Sequence, residues 1–156
     1  MTTVDPAISD EEFDRLRQLI HAQAGIALAP WKRDLVQARL AKRLRELGLV
    51  TFAHYHDRLI ADTSGAELTH FINAMTTNKT EFFREAHHFE HLRDTWLPSR
   101  GSCRRATDRH LRFWSAACST GQEPYSLAIT LLEALDGAVG WDIRILASDI
   151  DTDVLA

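Results

Sequence analysis

Cysteine is scarce in this 156-residue sequence: Cys103 and Cys118 are the only two, and neither belongs to a CxxC pair. Two such residues cannot staple a small secreted fold and outline no zinc or redox site, so a reducing, cytoplasmic setting is expected. Nowhere do about 18 apolar residues run together, so no segment is expected to insert into a membrane as a helix. The start, MTTVDPAISDEEF, has neither the basic opening nor the apolar stretch of a secretory signal. Glycine and proline are sparse, at seven and four, which excludes collagen-like and low-complexity chains. Positive charge is also not in excess. The net charge is −4, and without a general basic footprint nucleic-acid binding is not expected.

What is present suits a globular protein with a real core: 45% of residues are hydrophobic and 26% charged. Ser9 followed by Asp10, Glu11 and Glu12 is a helix opening, with a capping hydroxyl and then acids at the positive end of the helix dipole. Phe13, Leu16, Leu19 and Ile20 continue it at helical spacing, and Gly25 stops it. After Pro30, WKRDLVQARLAKRLRELGL places Val36, Leu40, Leu44 and Leu47 on one face before Gly48. The same stretch carries Lys32, Arg33, Arg39, Lys42, Arg43 and Arg45 against only Asp34 and Glu46, a basic helix in an acidic chain. Thr51 caps a third helix with Phe52, Tyr55, Leu59 and Ile60, and a fourth runs from Ala66 through Leu68, Phe71, Ile72 and Met75. Four such helices are expected to form one bundle.

The segment TTNKTEFFREAHHFEHLRDTWLP begins with turn formers at Thr76, Thr77 and Asn78. A helix carrying Phe82, Phe83, Phe89 and Leu92 is expected to follow, ending at Pro98. Residues 99 to 109, SRGSCRRATDR, hold no apolar stripe and read as a linker. HLRFWSAAC then alternates as a strand should. STG makes a turn, Pro124 opens a helix with a core face of Leu127, Ala128, Leu131, Leu132 and Leu135, and WDIRILASDID reads as a second, buried strand. Strand, helix and strand over about 40 residues form a βαβ unit with a parallel pair. The expected fold class is therefore a small all-helical domain, residues 1–97, a linker, 98–109, and the opening βαβ unit of a Rossmann-like domain, 110–156.

In open parallel sheets ligands sit beyond the carboxyl ends of the strands, where the turn into the helix aims N–H groups at them. Here that turn runs from Ala116 to Gly121 with one glycine, so it is not a GxGxxG motif; as a pattern it reads equally as a plain small-residue turn. Asp149, ending the second strand, is either a ribose-binding acid or a solvated one. Glu123 could meet a cationic or hydroxyl-bearing cofactor, or simply relieve the helix dipole. A competing pattern, HxxEH, is satisfied by His87, Glu90 and His91. It would put two zinc ligands one helical turn apart with Glu90 as base, but five residues match easily by chance, and a third ligand would have to come from elsewhere, Glu133 being one option.

Three stretches, TTNKTEFFRE at 76–85, WSAACSTGQEPYSLAI at 114–129 and LASDID at 146–151, resemble the chemotaxis receptor glutamate methyltransferases of the CheR family, in order and at matching spacing. The resemblance extends over nearly the whole chain. It implies S-adenosyl-L-methionine as cofactor, with S-adenosyl-L-homocysteine as product. The implied cofactor-binding residues are Asn78, Thr80, Arg84, Glu123 and Asp149, with Arg84 pairing with the cofactor's carboxylate as a fork of donors. It further implies methyl-accepting chemotaxis receptors as partners, their acidic helices met by Lys32, Arg39, Lys42 and Arg43 on the basic helix, with the enzyme acting as a monomer and needing neither a metal nor a general base. In the family the methyltransferase domain continues beyond a segment like LASDIDTDVLA, so this chain is expected to correspond to the first part of a longer enzyme. A two-stranded sheet with one helix is expected to leave apolar surface and strand edges open.

Overall fold

The computed structural model describes residues 7–99 and 109–155. Most of the expected linker, residues 100–108 with Cys103, lies outside the described residues. The chain divides into two compact units, Met1–Thr77 and Asn78–Ala156.

In the first unit α1 spans Asp10–Ala24 and opens with a capping box. The Ser9 hydroxyl accepts from the Glu12 N–H at 3.2 Å, and the Glu12 carboxylate accepts from the Ser9 N–H at 2.9 Å. Such a cap contributes about 1 kcal/mol. Gly25 closes the helix at φ +68°, a conformation a side chain would resist. A 3₁₀ turn, Pro30–Lys32, leads into α2, Arg33–Glu46; α3 is Phe52–Ala61 and α4 is Ala66–Met75. All four helices contribute to one core, in which Leu16, Ile20, Val36, Leu40, Leu44, Phe52, Tyr55 and Phe71 are fully buried. Tyr55 meets Phe71 edge-on at 6.1 Å. Ile60 departs from expectation. It is exposed, because the buried stripe of α3 passes through Phe52, Tyr55 and Leu59, and the next residue turns about 100° away.

One carboxylate is buried in this unit. Glu67, at the start of α4, is 5% exposed and receives a fork of two bonds from Arg43 of α2, Nε at 2.9 Å and Nη2 at 2.6 Å. Arg58 of α3 stands at 3.9 Å. The Arg43 hydrogen bonds hold the Glu67 carboxyl below its ordinary value against the opposing effect of burial. Burial, with the Glu67 charge beside it, pushes the Tyr55 phenol well above its ordinary range.

In the second unit helix does not begin near Phe82 as the pattern suggests. Residues 82–86 form turns, with Phe83 at φ +54° and Glu85 at φ +57°, both outside helical space, and Phe82 and Phe83 are exposed. Helix α5, His87–His91, continues through a π-helical turn, Leu92–Trp96, into α6, Leu97–Ser99. The widened turn ends two residues before Pro98, which has no N–H for a regular helical bond.

Strand β1, His110–Ala116, pairs in parallel with β2, Asp142–Ser148, in the register Leu111 with Ile143 and Trp114 with Leu146. Helix α7, Gln122–Ala134, makes the crossover. Leu92, Leu111 and Leu131 centre the core of this unit, with Trp96, Phe113, Leu127, Leu135, Ile143 and Ile145 packed around them. Sequence patterns place the first boundary at residue 97; the compact units divide twenty residues earlier because Leu92, Trp96 and Leu97 pack with the strands. Two expectations about burial are corrected. Leu132 is 49% exposed, and β2 contains no buried residue. The helices cover one face of the sheet, and Trp114 and Leu146, paired on the other face, are 67% and 62% exposed.

Candidate functional site

The carboxyl ends of both strands feed loops that hold each other. After β1 the chain turns through Ala117 at φ +64°, Ser119 at φ +49° and Gly121 at φ +98°, so its N–H groups point in varied directions rather than into a ladder. The Cys118 N–H still reaches the Ser148 carbonyl at 3.0 Å, extending the pairing one residue past the strand. Asp149 then accepts the Ser119 N–H on Oδ2 at 2.8 Å and the Asp151 N–H on Oδ1 at 2.9 Å. A carboxylate offers about four acceptor sites, so these two bonds orient Asp149 and leave capacity for hydroxyl donors.

Asn78 joins the same cluster. Its carbonyl accepts from the Ser119 hydroxyl at 3.0 Å, and its amide donates to Asp151 Oδ2 at 2.5 Å. Asp151 is 2% exposed and also accepts the Asp153 N–H at 2.9 Å. Glu123, in the first turn of α7, accepts from the buried Ser115 hydroxyl at 2.6 Å while remaining exposed. Thr80 is half-buried, and Arg84 is exposed with Nη1 donating to the Lys79 carbonyl at 2.7 Å rather than pairing with Glu81 or Glu85. Beside these loops lies an open cleft of about 390 Å³ lined by Cys118, Ser119, Gly121, Tyr125, Ala147 and Leu155 among others. Acidic acceptors, small-residue turns and an apolar wall are groups of the kind that suit the hydroxyls of a ribose and an amino group.

At the opposite, amino-terminal ends of the strands Asp142 is ringed by Arg112, His110 and Arg144. The bond from Arg112, with that from His110, holds its carboxyl well below the usual range. Among the described residues no three His, Cys, Asp or Glu side chains are grouped to hold a metal, His87, Glu90 and His91 included.

The basic helix is divided by the structure. Lys32 is exposed, and so is Lys42, whose amine stands 3.7 Å from Glu46. Arg39 and Arg43 turn inward. Arg39 donates to the carbonyls of Ala74 and Thr76 at 3.2 and 2.7 Å and to the Thr77 hydroxyl at 3.2 Å, while Arg43 is engaged with Glu67. Helical projection alone places Lys32, Arg39 and Arg43 on one narrow stripe with Lys42 nearby; only packing shows that Arg39 and Arg43 have partners within the unit.

Sequence reasoning missed Ser119, Asp151 and Ser126. Asp151 carried a signal, since it repeats the acid of Asp149 two residues later in LASDID. Ser126 carried none, because its partner, the Phe83 N–H at 2.9 Å, is 43 residues away.

Residues 11–76 match the family described as "CheR methyltransferase, all-alpha domain", and residues 78–156 match "CheR methyltransferase, SAM binding domain". The chain is 51% identical over 150 residues to the "Chemotaxis protein methyltransferase" of Escherichia coli (strain K12), covering 96% of this chain and 49% of that protein. Its Salmonella typhimurium counterpart is 53% identical over 152 residues, with the same coverage. "Chemotaxis protein methyltransferase 2" of Pseudomonas aeruginosa is 50% identical over 147 residues, covering 93% of this chain and 49% of that protein. The chain thus spans about half the length of the curated relatives it matches. No helix among the described residues is long and apolar enough to cross a membrane.

Proposed function

Because this chain belongs to the CheR methyltransferase family, we propose that it serves the S-adenosyl-L-methionine-dependent methylation of glutamate side chains on chemotaxis receptors, in the cytoplasm and as a monomer. The observation that carries this reading is the anchoring of Asn78 to Ser119 and Asp151, which brings the TTNKTEFFRE segment to the loop that holds Asp149.

The cofactor, when bound, supplies a methyl group activated by a positively charged sulfur. Asp149 and Glu123 are the acids for its ribose and amino groups, Arg84 is the partner for its carboxylate, and Asn78 and Thr80 complete the edge of the site. A receptor carboxylate is already a nucleophile at neutral pH, so no side chain of this chain has to remove a proton from it. The protein's work is then orientation and exclusion of water. Lys32 and Lys42 are the exposed charges offered to an acidic receptor helix, while Arg39 and Arg43 shape the helix that carries them. The test is to incubate the complete protein with methyl-labelled cofactor and a receptor cytoplasmic fragment. Label that enters the receptor and is released as methanol by mild base is the expected methyl ester. Base-stable label, or none, would contradict the proposal.

The closed core of the first unit favours a second reading, a helical module that docks on receptors without catalysis. It expects the docking to weaken with salt and with Lys32→Glu plus Lys42→Glu by roughly tenfold, read by titration calorimetry at two ionic strengths. Binding indifferent to both would remove it.

A further inference from the structure

Ser126 lies in the second turn of α7 and is fully buried. Its hydroxyl donates to the Gln122 carbonyl at 2.7 Å, a common bond for a serine inside a helix. With the proton committed there, the oxygen presents a lone pair, and the Phe83 N–H donates to it at 2.9 Å. Thr130, one turn later, makes only the first kind of bond, to the Ser126 carbonyl at 2.8 Å.

Phe83 and Glu85 both have left-handed backbone, at φ +54° and +57°, which side-chain-bearing residues adopt only when their surroundings hold them there. Arg84 sits between them. Its N–H reaches the Glu81 carbonyl at 3.3 Å, and its guanidinium closes back on the Lys79 carbonyl at 2.7 Å. The loop is therefore pinned at Asn78, through Ser119 and Asp151, and at Phe83, through Ser126. Phe83 also meets Phe89 edge-on at 5.5 Å, which anchors its side chain but leaves its backbone direction to the bond with Ser126.

We infer that Ser126 is a positioning residue that holds the Phe83 backbone in its left-handed turn and so aims Arg84 at the carboxylate of the cofactor. This rests on the proposed role of Arg84. S-adenosylhomocysteine carries that carboxylate and 5′-methylthioadenosine lacks it, so the two ligands separate an effect on Arg84 from a general loss of the pocket. In calorimetric titrations of the complete protein, Ser126→Ala is expected to weaken S-adenosylhomocysteine about tenfold and methylthioadenosine less than about twofold. In an Arg84→Ala background the same change is expected to add less than about twofold for either ligand. Ser126→Cys, which keeps the shape but offers a weak acceptor, is expected to show the same selectivity and carries the test if the alanine variant is poorly folded. Equal weakening of both ligands, or no weakening, in a folded Ser126 variant would overturn the inference provided that Arg84→Ala itself discriminates between them. If Arg84→Ala does not discriminate, the proposed role of Arg84 is overturned, and this inference with it.

Discussion

Asp149→Ala is expected to weaken S-adenosylhomocysteine binding by roughly 100-fold, the largest effect of any single substitution in the site. Its carboxylate accepts two backbone N–H groups, from Ser119 and Asp151, and in the proposed function would also accept from the ribose. Charge-assisted bonds contribute about 1.5–3 kcal/mol each, and losing the ribose contact together with the shape of both loops corresponds to about 3 kcal/mol. Asp149→Asn is expected to recover little. One of its two positions would be an amide nitrogen facing an N–H donor, so either Ser119 or Asp151 would lose its acceptor. Titration calorimetry with the complete protein measures the loss, and a melting curve shows that the fold persists. Affinity within threefold of the unsubstituted protein would sink the assignment of Asp149.

The second large effect concerns stability. Arg43→Ala leaves the Glu67 carboxylate, 5% exposed, with Arg58 at 3.9 Å as its remaining cation. Removing one partner of a buried pair typically costs about 3 kcal/mol, because the other charge stays desolvated. Urea unfolding at neutral pH should show a loss of that order. Lys42→Ala, which removes an exposed side chain on the same helix, should change stability by less than about 0.5 kcal/mol.

The pH dependence has a definite sign. The Glu67 carboxyl is held below its ordinary value of 4.5, so the folded state binds its proton less readily than the unfolded state. Its contribution is fully present above about pH 4.5 and is lost as pH falls through the folded-state value. In Arg43→Ala the largest lowering influence is removed, leaving burial opposed only by the lesser effects of Tyr55 and His70, so the dependence between pH 5 and pH 3 should flatten. An unchanged slope would mean that Glu67 is not held by Arg43 in solution.

Much of the architecture was legible in the chain. The capping box at Ser9 and Glu12, the stop at Gly25, the stripe of Val36, Leu40 and Leu44, and the βαβ unit all appear where periodicity and caps place them. These signals work because each depends on residues within about four positions, which the backbone geometry of a helix or strand brings together whatever the rest of the molecule does. The same holds for Asp149, since the end of a parallel strand is a local event.

Tertiary packing decided the sidedness of the basic helix and the wiring of the site. Helical spacing groups Lys32, Arg39 and Arg43, but whether a guanidinium faces solvent depends on what lies beneath it. Here the end of α4 offers Arg39 the carbonyls of Ala74 and Thr76, and Glu67 takes Arg43. Likewise, the apolar pattern of Phe82, Phe83 and Phe89 resembles one helix face, yet left-handed backbone at Phe83 and Glu85 breaks it, with Ser126 holding the Phe83 N–H. Asn78 and Asp151, 73 positions apart, meet through a hydrogen bond that no local rule anticipates. The elements of the βαβ unit and the acid at its end were therefore set by short-range backbone chemistry, whereas the hold on the Phe83 N–H and the partners of Arg39 and Arg43 were set by donors finding acceptors within each packed unit.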